Sequence, residues 1–397
     1  MTEPDPTRVR LAALTKRLLD EHDPKKIEPV EFLRARFDAG LAWVHFPTGL
    51  GGLHIDHSYQ PVVDQMFDDA GAPDNNSGRI SIGLGMAAPT ILAHGTPEQK
   101  KRFLRPLWTG EEIWCQLFSE PGAGSDLAGI ATRAVRHGDE WVVNGQKVWN
   151  SGAHNAHFAI LIARTAPELP KHAGLTYFLC DMRDLGVEVR PLRQITGEAE
   201  FNEVFLTDVR IPDAHRLGAE GGGWRVAITT LNNERVSIGG SAAPRESGMI
   251  GVVASTWRTN PERHSCALHD RLLRLWVDAE VARLTGMRLR QKVALGRPGP
   301  EGSALKLTFA RNNQELSGLE LELLGDAGLR YGDWAMTQPT DLDMLRGNAG
   351  YRYLRAKGNS IEGGTSEILR NIVSERVLGL PAESRVDKDI AWKDIPR

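Results

Sequence analysis

At 397 residues the chain can bury a sizeable core and is long enough for two or three domains. Charged residues make up 25% and apolar ones 41%, the formal net charge is -3, and no Lys/Arg run stands out, which argues against a large nucleic-acid footprint. No apolar stretch approaches membrane-spanning length, and the acidic, polar start Met1-Thr-Glu-Pro-Asp-Pro6 does not read as a signal peptide, so a cytoplasmic setting is expected. The three cysteines, Cys115, Cys180 and Cys266, are odd in number and form no Cys-x-x-Cys, which predicts reduced, buried thiols.

Taken in chain order, Val9, Leu11, Leu14 and Leu18, then Phe32, Leu33, Phe37 and Leu41, recur at helical spacing. Pro24, Pro29 and Pro47 punctuate them, and Gly49-Leu-Gly-Gly52 is a loop. More helices are expected from Tyr59 to about Trp108, broken at Gly71–Pro73 and Gly95–Pro97. The pattern then changes. Glu140–Gln146 is a strand running into a tight turn, and Phe158–Ala163 and Leu175–Cys180 are short apolar runs bounded by breakers. Val187–Arg190 and Phe201–Ile211 alternate with period two.

After Gly221-Gly-Gly223 the helical period returns. It marks four long helices: Trp224–Thr256, Leu268 to about Leu295, Ser303–Leu324 and Tyr351–Leu378. The expected class is therefore α+β by segregation: an N-terminal all-helical domain (1–111), a central antiparallel β-barrel or sandwich (112–220) and a C-terminal four-helix bundle (221–397).

Two phrases carry chemistry. The first is Cys115-Gln-Leu-Phe-Ser-Glu-Pro-Gly-Ala-Gly-Ser-Asp126, whose small residues suit close approach to a phosphate-bearing ligand. The second is Asn144-Gly-Gln-Lys-Val-Trp-Asn-Ser151, whose Trp and Ser suit covering an aromatic ring and bonding its edge. No Rossmann fingerprint follows a predicted strand, and no Gly-x-Ser-x-Gly elbow or His-Glu-x-x-His is present. His54 with His57, and His154 with His157, lack an evident third ligand, so no metal site is expected.

Together the two phrases resemble the flavin-binding signatures of the acyl-CoA dehydrogenase family, and the resemblance runs through Phe201–Pro212 and Arg370–Pro381 to cover nearly the whole chain. It implies FAD, an acyl-CoA substrate, an electron-transfer flavoprotein as acceptor, a homo-oligomer (dimer or tetramer) and formation of a trans-2-enoyl-CoA. It also implies site roles. Phe118 and Ser119 would contact the flavin ring, Gly124 would admit it, Trp149 would cover one face and Ser151 would bond near N5. Ser125 would sit at the substrate's pantetheine end. Arg258, Thr365 and Glu367 would serve the rest of the cofactor, and Asn232 and Arg235 the substrate.

Abstracting the α proton requires a carboxylate whose pKa burial has raised toward neutrality. Many family members place it in Tyr-Glu-Gly-Thr, yet the matching phrase Ile361-Glu-Gly-Gly-Thr365 puts Gly363 at that position. A branch resembling isovaleryl- and long-chain-type enzymes draws the base from a bundle helix, and Leu231-Asn-Asn-Glu-Arg-Val-Ser237 matches its phrase. Glu234 is the preferred base and Glu362 the runner-up. Alternatives on the same scaffold are a subunit of a heteromeric dehydrogenase with little activity of its own, and a flavin monooxygenase.

Overall fold

The computed structural model describes residues 5–238, 244–294, 299–340, 343–385, 387 and 389–396. The first part is helical as expected: α1 (Pro6–Glu21), α2 (Pro29–Asp38), α3 (Gln60–Asp69), α4 (Ala88–His94) and α5 (Pro97–Trp108). Start signals are explicit. Asp5 caps α1 by accepting from Thr7 N at 2.9 Å, and Thr96 with Gln99 forms a capping box on α5.

The middle of the chain is one seven-stranded sheet of β1 (Trp114–Leu117), β2 (Arg133–His137), β3 (Glu140–Lys147), β4 (Phe158–Arg164), β5 (Leu175–Asp181), β6 (Val187–Pro191) and β7 (Asn202–Pro212). Its order is β1-β4-β2-β3-β7-β6, with β5 also on β4. The antiparallel barrel expected from sequence is corrected here. The sheet is mixed, because β1 and β2 both pair with β4 in parallel, and the path ends at β6. β1 overlaps the first motif from Cys115, and β2 has one buried residue, Ala134, in an otherwise exposed run, so neither shows as a strand in the sequence.

β4 is buried along its whole length, so it reads as an apolar run rather than an alternation. Phe158, Ile160 and Ile162 join the core shared with α5 and the helix that follows the sheet, α6 (Gly223–Ile238), while Ala159, Leu161 and Ala163 join the core on the other face. The sheet thus has a core on each face, and Phe118 of the first motif lies in the one shared with α6.

Those helices are α6 (Gly223–Ile238), α7 (Met249–Thr259), α8 (Cys266–Ala294), α9 (Gly302–Leu324), α10 (Ala349–Ala356) and α11 (Ser366–Ile372). The four-long-helix expectation needs two corrections. Helix 224–256 is interrupted, and the chain re-enters α7 past Pro244 through left-handed Glu246 (φ 58°) and Gly248 (φ 74°). Helix 351–378 is split by a 3₁₀ turn at Lys357–Ser360 and the left-handed pair Gly363–Gly364. The core joins α7, α8 and α9 through Val253, Leu272, Leu275, Leu316 and Leu319. Among the described residues no helix is long and apolar enough to cross a membrane.

Cys115 and Cys180 are buried as expected. Burial pushes both thiols up, Cys180 to about 12, which leaves them inert. Cys266 is exposed, because it opens α8 at the surface.

Candidate active site

The two motifs are stitched together by a buried ion pair. β1 runs into Phe118 and Ser119, and the loop that follows is closed at its base by Glu120, whose carboxylate accepts from Ala131 N at 2.6 Å and Thr132 N at 2.9 Å. Lys147, the last residue of β3, is fully buried. It donates to Glu120 Oε1 at 2.9 Å, Phe118 O at 2.9 Å and Ile162 O at 3.0 Å. Beside it, Val148 N donates to Ser119 O at 2.9 Å.

Burial pushes the Lys147 ammonium down to about 8, against the pull of Glu120. Burial alone would raise Glu120. Lys147 and the two amides outweigh it and hold the carboxyl below its ordinary value. Sequence reading assigned neither residue a role, yet a signal was present. Trp141, Val143 and Lys147 are the buried positions of β3, and a cation at an inward strand position requires a partner.

The second motif ends in a fixed turn. Asn150 donates its backbone N–H to Asn202 O at 3.0 Å and its side-chain amide to Gln116 O at 2.7 Å, and Asn202 N returns a bond to Asn150 O at 3.1 Å. Trp149, in the left-handed region at φ 62°, is held outward with 59% of its surface exposed and its ring edge-on to Phe201 at 5.8 Å. Ser151 lies half-buried in the same turn. A Cβ on Gly122 or Gly124 would meet nothing within 4 Å, so the outer turn of the first loop presents open backbone, with Ser125 exposed beside it. Trp149 thus presents an exposed indole face that a flat ring can cover, and Gly122 and Gly124 present open backbone.

The helix carrying Glu234 is tied to this group. The buried Phe118 ring is edge-on to Tyr177 of β5 at 5.8 Å. Tyr177 Oη lies 2.8 Å from Thr230 Oγ1 of α6, which is also 3.0 Å from Thr90 Oγ1 of α4. Glu234 follows Thr230 by four residues, one turn on along the same face, and is half-buried. Asn232 is exposed, and the Arg235 side chain lies outside the described residues.

The other sequence candidates are engaged elsewhere. Arg258 pairs with Glu246 at 2.9 Å on the surface of the C-terminal helices. Thr365 caps α11 by accepting from Ile368 N at 3.2 Å, and exposed Glu367 pairs with Arg370 at 3.3 Å. Glu362 accepts a two-pronged bond from buried Arg355 at 3.1 and 2.9 Å and a third from Asn359 Nδ2 at 2.6 Å. Buried Lys306 clamps the same turn through Asn359 O at 2.7 Å and Gly364 O at 2.8 Å. Gly363 adopts φ 62°, a conformation that costs an L residue about 1–2 kcal/mol.

Family models for the N-terminal, middle and C-terminal domains of acyl-CoA dehydrogenases match residues 10–111, 115–209 and 221–378. Acyl-CoA dehydrogenase IpdE1 of Mycobacterium tuberculosis is 38% identical over 348 residues, which is 87% of this chain and 86% of that protein. The chain belongs to the acyl-CoA dehydrogenase family. Acyl-CoA dehydrogenase FadE34 of the same organism is 41% identical over 349 residues, covering 87% of this chain but 45% of that longer protein. Among solved structures, the ChsE4-ChsE5 complex from Mycobacterium tuberculosis matches with TM-score 0.70 and 28% identity, over 96% of this chain and 100% of that one. The Tcur3481-Tcur3483 steroid ACAD matches with TM-score 0.73 and 25% identity, over 96% and 100%.

Proposed function

We propose that the protein is an FAD-dependent acyl-CoA dehydrogenase that converts an acyl-CoA to its trans-2-enoyl-CoA in the cytoplasm, as a homo-oligomer passing electrons to an electron-transfer flavoprotein. The observation that carries this reading is the exposed Trp149 indole in the second motif together with the contacts Phe118–Tyr177 and Tyr177–Thr230, which tie the first motif to the helix of Glu234. FAD, when bound, supplies the acceptor for the β hydride. Phe118, Ser119, Gly124, Trp149 and Ser151 hold it, with Trp149 as the cover of one face. Ser125 receives the pantetheine end of the substrate, and Asn232 and Arg235 lie on its path along α6.

Glu234 takes the α proton from its half-buried position on a helix pinned at Thr230. Arg258, Thr365 and Glu367 would serve the rest of the cofactor; Arg258 and Glu367 are exposed, and Thr365 caps α11. The relative described as a steroid ACAD supports a bulky, steroid-type acyl group as substrate. Two structural relatives with two-part names support a second reading, in which this chain is one subunit of a heteromeric dehydrogenase.

The test is turnover of FAD-loaded protein on a panel of acyl-CoAs with a dye acceptor. The expected product is lighter than its substrate by two hydrogens. Failure on every acyl-CoA, alone and with any co-purifying chain, would sink the reading. Glu362→Gln separates the two candidate bases. Its carboxylate is tied up by Arg355 and Asn359, so turnover is expected to stay within about threefold of wild type. Stability should fall by about 1–3 kcal/mol as the bonds to the buried guanidinium weaken, read from a urea melt.

A further inference from the structure

The C-terminal stretch, Asp387 with residues 389–395, has no part in the proposed chemistry, yet it crosses back over the outer turn of the first motif. Its backbone is held by Trp392 N donating to Leu169 O at 2.9 Å and Lys393 N donating to Pro167 O at 3.0 Å, with a bridge between Pro170 and Ala391. From that position Trp392 Nε1 donates to Gly129 O at 3.1 Å. The Trp392 ring also lies 4.6 Å from the guanidinium of buried Arg164, which itself donates to Ala128 O at 2.5 Å and Lys171 O at 2.7 Å. Asp387 Oδ2 meets Lys171 Nζ at 2.6 Å, and the same ammonium holds both oxygens of Asp126 at 2.9 Å.

The loop is therefore braced twice, by different groups. Glu120 and Lys147 close its base, on the side of Phe118 and Ser119. Arg164, Lys171 and the C-terminal stretch brace its outer turn, Asp126–Gly129, next to Ser125. Ser125 and Gly124 are themselves exposed and have open space around them, so their placement depends on what holds Asp126 and Gly129.

We infer that Asp387 and residues 389–395 form a strap that positions the pantetheine-side turn of the loop, through Trp392 on Gly129 and Asp387 on the Lys171–Asp126 pair, and so set the affinity for acyl-CoA rather than the rate of its oxidation. The inference rests on the functional reading above, because it takes Ser125 to face the pantetheine end. Trp392 and Asp387 are positioning residues; neither touches the reacting atoms. Loosening the outer turn costs binding of the part of the substrate remote from the α and β carbons, while Glu234, Trp149 and the Lys147 clamp stay in place.

The experiment compares wild type with Trp392→Ala and, as a milder change, Asp387→Asn, all as FAD-loaded full chains. In Trp392→Ala the KM for the best acyl-CoA is expected to rise about tenfold, with kcat within about twofold. FAD affinity, measured by flavin fluorescence, should stay within about twofold of wild type. Hydrogen exchange of amides 121–129 should quicken about tenfold while the β1 and β3 amides stay protected. Asp387→Asn should move KM and loop exchange in the same direction by less. An unchanged KM, unchanged exchange in 121–129, or FAD affinity falling as far as acyl-CoA affinity would overturn the strap. A wild type that binds FAD but oxidises no acyl-CoA would overturn the functional reading instead, and the exchange measurement would still decide whether the strap holds the loop.

Discussion

Glu234→Gln is expected to slow reduction of the bound flavin by acyl-CoA about 10²–10⁴-fold while leaving FAD affinity at the wild-type value. The substitution removes the proton-accepting charge and keeps the shape, so it opens no cavity. The anchors of α6, Thr230 on Tyr177 and Thr90 and Thr229 on His94 at 2.8 Å, are a turn away and untouched. A loss confined to kcat would mark an interaction made in the transition state, whereas a rise in KM alone would mark Glu234 as a binding residue. Wild-type turnover in Glu234→Gln would return attention to Glu362. That carboxylate would first have to leave three hydrogen bonds, two of them from a buried guanidinium, before it could accept a substrate proton.

Lys147→Met is expected to have the largest effect on stability, about 3–5 kcal/mol, because it leaves Glu120 as a buried charge without its cation. Against a typical total of about 5–15 kcal/mol for a folded protein, this is a large share. The loss reaches beyond the pair. Phe118 O and Ile162 O give up their donor in the same step, and Phe118 stands at the junction of the two motifs. The variant should melt earlier in urea and retain little FAD after gel filtration. Lys147→Met combined with Glu120→Gln should recover part of the loss, since the carboxamide is neutral and its one oxygen still accepts from one of the two amides, Ala131 N or Thr132 N. A double variant no more stable than the single one would show that the pair is not what holds the motifs together.

The candidate site could be proposed from sequence because its residues lie close together in two phrases. Phe118, Ser119, Trp149 and Ser151 each lie in a phrase whose composition is unusual, and the Val148–Ser119 bond joins the phrases. The segregation of helices and strands was legible too, since period-two and helical patterns do not overlap along the chain. Three things were not. The parallel pairing of β1 with β4 is a long-range choice made by packing on both faces of β4, and no local pattern in Trp114–Leu117 announces it. The breaks in the last helices depend on left-handed residues at Glu246 and Gly363–Gly364, and glycine permits such a conformation without dictating it. The bracing groups Arg164, Lys171 and Trp392 are far apart in sequence, with Gly129 separated from Trp392 by 263 residues, so their meeting is set by the fold alone.

The central claim is that this chain holds a flavin under Trp149 and delivers substrate hydride to it with Glu234 as base. Anaerobic mixing of the FAD-loaded protein with acyl-CoAs, bulky steroid-type thioesters included, tests it most directly. The account predicts that the flavin's visible band bleaches within the mixing experiment for wild type and far more slowly for Glu234→Gln. A protein that binds FAD yet keeps its colour with every acyl-CoA, or one that bleaches equally fast in both forms, would contradict it.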